Sequence, residues 1–133
     1  MQRQFVVQLP NRPGELGHLA RALAARGINI VHISCAGTGP LAGAFLTTDD
    51  ADATRAVLRG LGYDFLEGEA ILVDVVDRPG GLAEVAERLG RAGVNILGAL
   101  TVGRRPGFVE MAFVVDDPMK ARATLSAAGS ATA

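Results

Sequence analysis

Asn11-Arg12-Pro13-Gly14-Glu15-Leu16, running on to Gly27-Ile28-Asn29-Ile30, returns 66 residues later as Asp77-Arg78-Pro79-Gly80-Gly81-Leu82 and Gly93-Val94-Asn95-Ile96. Nine of the twenty aligned positions are identical. A self-match this dense marks a duplicated structural unit, so the chain is read as two copies of one design. Beyond the motif the match continues at an offset of 67: Asp49-Asp50, Arg55-Ala56, Leu58 and Gly62 recur as Asp116-Asp117, Arg122-Ala123, Leu125 and Gly129. One residue has therefore been inserted between the copies, and a loop is the expected place for it.

Within each copy the period of the apolar residues separates strand from helix. Phe5, Val7 and Leu9 alternate with Val6 and Gln8, as Ile71, Val73 and Val75 alternate with Leu72 and Asp74, which predicts strands. Leu16, Leu19, Ala20 and Leu23 then keep helical spacing, as do Leu82, Val85, Ala86 and Leu89. Glu84–Arg88 and Glu87–Arg91 are i,i+4 pairs on the opposite, solvated face. Gly27 and Gly93 stand where a helix end calls for positive φ. Further strands are predicted at 29–35, 42–48 and 63–66, and at 95–102 and 108–115, with a hairpin across Gly103-Arg104-Arg105-Pro106-Gly107. Asp49 or Asp50, and Asp117 followed by Pro118, open the second helix of each copy. The order is strand-helix-strand-strand-helix-strand. It predicts an α+β fold of tandem ferredoxin-like βαββαβ units, each an antiparallel sheet with two helices on one face. The domains are expected at 1–67 and 68–133, with the last strand of the second copy, at 130–133, weak or missing.

Composition narrows the function classes. The chain has 133 residues, 49% hydrophobic, with mean hydropathy +0.28, yet no apolar run approaches the roughly 18 residues of a membrane span. A formal charge of −1 gives no reason to expect nucleic acid or anionic lipid as a partner. A strand-like run begins within a few residues of Met1, so no signal peptide is expected, and Cys35 alone excludes a disulfide framework. The cytoplasm is the expected compartment. Units of this size bury only about 60% of their unfolded surface, so pairing of units within or between chains is expected, with a homodimer or higher form.

The recurring Pro-Gly carries the candidate chemistry. Proline fixes φ, and glycine lets a ligand approach a helix start whose first N–H groups are unpaired and positively polarised, a natural seat for a carboxylate. Asn11 or Asp77 could take an ammonium group, and Asn29 or Asn95 could complete the recognition. Carboxylate beside ammonium is the chemistry of a free α-amino acid. The same residues also have a purely structural reading: Pro-Gly makes a good turn, and Asn29 and Asn95 could satisfy nearby backbone groups. His18, His32 and Cys35 have no partner cluster, so neither catalytic residues, nor a metal, nor a cofactor is expected.

On Asn11, Pro13, Gly14, Leu16 and Gly27 to Ile30, and on Asp77, Pro79, Gly80, Leu82 and Gly93 to Ile96, both halves resemble ACT domains. These are ligand-sensing modules of enzymes and regulators of amino-acid metabolism. The resemblance implies the βαββαβ fold, amino-acid binding between paired units, and regulation in place of catalysis. It implies ligand contacts at Asn11, Arg12, Pro13, Gly14, Glu15, Leu16, Asn29 and Ile30 and at Asp77, Arg78, Pro79, Gly80, Gly81, Leu82, Asn95 and Ile96. Asn11 with Asn29 is similar to the asparagine pair of serine-responsive members. The role expected is a free-standing sensor acting on a metabolic enzyme or regulator in trans, the alternative being a ligand-independent assembly module. An enzyme is disfavoured because no nucleophile sits with a base. An RNA-recognition module, which needs stacking aromatics on its central strands and a basic face, is disfavoured because the aromatics are Phe5, Phe45, Tyr63, Phe65, Phe108 and Phe113 and the charge is slightly acidic.

Overall fold

The computed structural model describes residues 2–127 and 131–132, which fall into two compact units, Gln2–Gly68 and Glu69 onward. In the first, β1 (Arg3–Pro10) leads to α1 (Glu15–Ala24), β2 (Ile30–Thr38), β3 (Leu41–Thr48), α2 (Ala51–Gly60) and β4 (Phe65–Glu69), whose last residue already lies in the second unit. The second continues with β5 (Ile71–Val76), α3 (Gly81–Arg91), β6 (Ile96–Arg105), β7 (Phe108–Val115), α4 (Pro118–Ala127) and β8 (Ala131–Thr132). The sheets run β2-β3-β1-β4 and β6-β7-β5-β8. The expected tandem βαββαβ architecture is therefore present.

Alternation decides which face of each sheet carries the helices. Phe5, Val7 and Leu9 of β1 join Ala42, Ala44 and Leu46 of β3 beneath Leu19 and Leu23 of α1 and Val57 and Leu58 of α2. The second core repeats this with Ile71, Val73, Val75, Phe113 and Val115 under Val85, Leu89, Ala121 and Leu125. Both helices of each unit thus cover one face. Each buried Val, Leu, Ile or Phe side chain stabilises its unit by about 1.5–3 kcal/mol relative to exposure.

Three of the helices end alike. Gly27, Gly62 and Gly93 adopt φ of 69°, 76° and 77°, and the next residue returns its N–H to the carbonyl five back: Ile28 to Leu23, Tyr63 to Leu58 and Val94 to Leu89. This closure corrects one sequence expectation. Tyr63 belongs to the exit of α2 and packs against the core, so the fourth strand begins at Phe65 rather than at 63. The last strand of the second unit consists of Ala131 and Thr132 paired with Val73 and Leu72; Ser130 and Ala133 lie outside the described residues.

The inserted residue is not in a loop. Both edge strands carry a bulge near their start, between Ile30 and His32 in β2 and between Ile96 and Gly98 in β6. Strand β6 has a second bulge between Thr101 and Gly103, which makes it ten residues against nine in β2. A bulge sets two residues against one on the partner strand and re-aims the residues beyond it. Past this second bulge, Arg104 pairs with Val109 where Gly37 pairs with Ala42 in the first unit.

One ion cluster locks the edge of the first unit. The Glu67 carboxylate on β4 receives Arg55 Nε and Nη2 of α2, both at 2.6 Å, and Arg3 Nε of β1 at 2.9 Å. Those hydrogen bonds, Arg55's first, outweigh the effect of burial and hold the Glu67 pKa down at about 2. The second unit has a simpler counterpart, Arg122 of α4 bonded to Glu69.

Candidate functional site

The turn after β1 is shaped by backbone, and its twin after β5 copies it. Gly14 and Gly80 are the N-caps of α1 and α3, with φ/ψ of 88°/−12° and 88°/−10°. This left-handed conformation disfavours any residue with a Cβ, which accounts for the glycine after proline. Arg12 and Arg78 donate their N–H groups two residues back, to Pro10 and Val76 at 3.1 and 2.9 Å. The N–H groups of Asn11 and Asp77 tie the turn to the tip of the neighbouring hairpin, at Pro40 O (2.9 Å) and Gly107 O (3.0 Å).

Neither α1 nor α3 has a side-chain N-cap. The other two helices do: Asp50 accepts from Ala53 N at 3.0 Å, and Asp117 accepts from Lys120 N at 3.1 Å. Open helix starts therefore occur in both copies at the Pro-Gly turn, where donors and the positive dipole end face outward. Leu16 and Leu82, expected on the buried helical face, are instead 43% and 48% exposed in the first turn beside that start. The core-facing stripe begins one turn later, at Leu19 and Val85.

Around this shared backbone the side chains differ. Asn11 donates from Nδ2 to Gly39 O at 2.9 Å, which leaves Oδ1 as an acceptor. Its carboxamide lies against Gly37, where an added Cβ would come within 2.8 Å of it. Asp77 meets Arg104, with Nη1 to Oδ2 at 3.4 Å. Arg12 pairs with Glu15 at 2.6 Å, and Arg78 pairs with Glu84 at 2.8 Å. Glu15 and its counterpart Gly81 diverge most. A Cβ at Gly81 would stand 1.9 Å from the Val76 carbonyl oxygen, so only glycine fits where α3 touches the end of β5. Beside the first junction a hollow of about 370 Å³ is bordered by Glu15, His18, Tyr63 and Asp64. Burial and then the Glu15 charge raise the Tyr63 phenol above its ordinary pKa.

Within one unit the candidate residues do not all come together. Asn11 follows Pro10, paired with Leu41; Asn29 precedes Ile30, paired with Thr48 at the other end of β3. At about 3.3 Å per residue these ends are roughly 23 Å apart, so Asn29 cannot complete a site with Asn11 of its own unit. Asn95 and Asp77 are separated in the same way across β7. The reason is topological: β1 and β2 both run antiparallel to β3, so their starts lie together and their ends lie together. The backbone groups of both asparagines are also engaged. Asn29 N donates to Asp49 Oδ1 at 2.9 Å and Asn29 O accepts from Asp49 N at 3.1 Å, with Asn95 and Asp116 repeating the exchange. Ile30 and Ile96 are half-buried and pack against their own cores.

Reading the sequence missed Gly37, Gly39 and Pro40, and Arg104 and Gly107, as neighbours of the junction. The signal was the change of offset from 66 to 67, which falls within the strand that carries Arg104. Among the described residues no group of histidine, cysteine and carboxylate side chains is arranged to hold a metal, and no helix is long and apolar enough to cross a membrane.

Known structures share this architecture. A protein of Bacteroides thetaiotaomicron superposes with a TM-score of 0.74 at 18% identity, over 98% of this chain and 90% of that one. The regulatory subunits of aspartate kinase from Thermus thermophilus, in ligand-free form, and from Thermus flavus give TM-scores of 0.64 and 0.70 at 21% and 22% identity. Each covers 96% of this chain and 90% of its own. At these identities the likeness establishes the fold alone. No curated protein matches the chain. The family model described as ACT domain matches residues 3–57 and again 70–126, which encloses both Pro-Gly junctions, and the chain therefore belongs to the ACT domain family.

Proposed function

We propose that the chain is a regulatory sensor of a free amino acid, with domains at 1–67 and 68–133 and ligand seats at the β1–α1 and β5–α3 junctions. The observation that carries this reading is the pair of helix starts left without a side-chain cap, each behind a left-handed glycine and each beside Asn11 or Asp77. A ligand carboxylate would accept from the open N–H groups of α1 or α3, while its ammonium would be held by Asn11 Oδ1 or the Asp77 carboxylate. Leu16 and Leu82, exposed in the same turn, would meet the ligand side chain. Because Asn11 and Asn29 lie at opposite ends of one sheet, a ligand that touches both must bridge two copies of the unit. That geometry favours a homodimer or larger assembly as the responsive form. Two of the structural relatives are regulatory subunits of aspartate kinase, which supports a metabolic enzyme or regulator as the partner in trans. The sensor itself is taken to be non-catalytic and cytoplasmic.

Thermal unfolding with each of the twenty common amino acids tests the reading. A ligand bound by the folded form adds RT ln(1 + [L]/Kd), about 2.7 kcal/mol at a hundredfold excess over Kd, so Tm should rise with at least one of them. Replacing both Gly14 and Gly80 by Val should remove the rise in protein that remains folded. A second reading, assembly without a ligand, is favoured by the exposed Val31 and Ile33 on the edge strand β2. A stable dimer indifferent to all twenty amino acids would establish that alternative.

A further inference from the structure

The second junction differs from the first in a way that bears on which of them responds. Position 104 is the structural counterpart of Gly37: both pair with the second residue of the following strand, Val109 or Ala42. In the first unit an added Cβ would fall 2.8 Å from the Asn11 carboxamide, so a side chain there would displace Asn11 from its place against Gly37. In the second unit the extra bulge between Thr101 and Gly103 precedes this position, and the residue is an arginine whose Nη1 lies 3.4 Å from Asp77 Oδ2. The N–H at the first helical position differs too. Gly81 N donates to Arg78 O at 3.0 Å, whereas its counterpart Glu15 N reaches Arg12 O at 3.4 Å.

We propose that Arg104 is a built-in competitor at the second junction: its guanidinium supplies to Asp77 the cation that a ligand ammonium would otherwise supply, so that Asp77 loses the advantage of its charge over Asn11. The proposal rests on the amino-acid reading given above and assigns Arg104 as the residue that sets the relative affinity of the two seats. The chemistry is a direct exchange. A guanidinium and an ammonium both donate charged hydrogen bonds to the same carboxylate oxygen, and the one attached to the chain pays no cost of association. The pair is exposed, with side chains 67% and 54% accessible, so the competition is moderate. Exposed pairs of this kind are worth a two- to fivefold change in a competing equilibrium.

The test is a titration of uniformly nitrogen-15-labelled full chain with the twenty common amino acids, added one at a time, following the amide resonances of Gly14 and Gly80. For the wild-type protein and Arg104→Gln, we expect the Gly80 midpoint to fall two- to fivefold in the variant while the Gly14 midpoint stays unchanged. An unaltered Gly80 midpoint, with Gly14 still responding, would overturn the competitor and leave the sensor reading intact. Silence at both glycines in both proteins would overturn the sensor reading and the competitor with it. A ligand-free measurement decides the contact itself: side-chain Nε relaxation of Arg104 should report an ordered guanidinium that becomes mobile in Asp77→Asn. Equal mobility in the two proteins would overturn the proposal whatever the amino acids do.

Discussion

Gly14 and Gly80 share φ of 88° and differ by 2° in ψ, yet the helices they start are seated differently. In the first unit Glu15 follows the glycine, reaches Arg12 and faces a hollow; in the second Gly81 follows and is pressed on the Val76 carbonyl. The hairpins that buttress the two turns differ as well, Gly37-Thr38-Gly39-Pro40 against Gly103-Arg104-Arg105-Pro106-Gly107. Duplication has kept the backbone that a ligand carboxylate would use and varied the groups around it. Backbone geometry here depends on one residue without a Cβ, whereas the polar surroundings are set by whichever side chains the neighbouring strand presents. A pair of copies can therefore diverge in selectivity while remaining one fold.

The sharpest way to break this comparison is to make the copies alike after the glycine. Gly81→Ala places a methyl 1.9 Å from a backbone oxygen that cannot yield as a side-chain tip could. We expect a loss of about 3 kcal/mol or more, at the upper end of overpacking effects, measured by urea denaturation. Glu15→Ala, the matching change in the first unit, should cost under about 1 kcal/mol, since it removes one exposed ion pair. Similar losses at the two positions would mean that the helix starts are seated alike.

Next in size are the carboxylates at the sheet edge. Glu67 receives two arginines and Glu69 one, so Glu67→Gln should cost about 2 kcal/mol and Glu69→Gln less. The effect has a pH signature. The folded Glu67 pKa of about 2 lies below the ordinary 4.5, so its contribution is fully present above pH 4.5 and is lost as pH falls toward 2. Tyr63 is the one tyrosine of the chain and reports on the first unit. Its signal in an acid titration should depend less steeply on pH in Glu67→Gln; an unchanged profile would count against the network.

Gly14→Ala and Gly80→Ala form a matched pair. Their identical φ predicts the same cost, about 1–2 kcal/mol each, from the left-handed backbone, because neither added Cβ meets an atom within 4 Å. Unequal costs would show that the turns are strained differently. The smallest effect is expected for Arg105→Ala, a slight lowering of the urea midpoint that shrinks further as salt is added. Arg105 bridges Asp74 at 2.6 and 2.9 Å and stacks 4.9 Å from the Phe108 ring centre, at an exposed site with no counterpart at Thr38.

Duplication, the order of elements and the two cores were all legible in the chain by itself. Periods of 2 and 3.6, glycines at helix ends and a 66-residue self-match each follow from local rules that hold whatever the tertiary setting. The need for glycine at 14 and 80 was legible for the same reason. Tertiary structure alone decided which candidate residues could meet. The sequence places Asn29 eighteen residues after Asn11, but the direction of β2 sets it at the opposite end of the sheet, since strand pairing is a long-range choice that spacing does not encode. The added residue likewise became a bulge in β6 and brought Arg104 to Asp77, a contact spanning 27 positions. Local chemistry wrote the turn; the register of a neighbouring strand determined its surroundings, because side chains distant in sequence meet only through the pairing of the sheet.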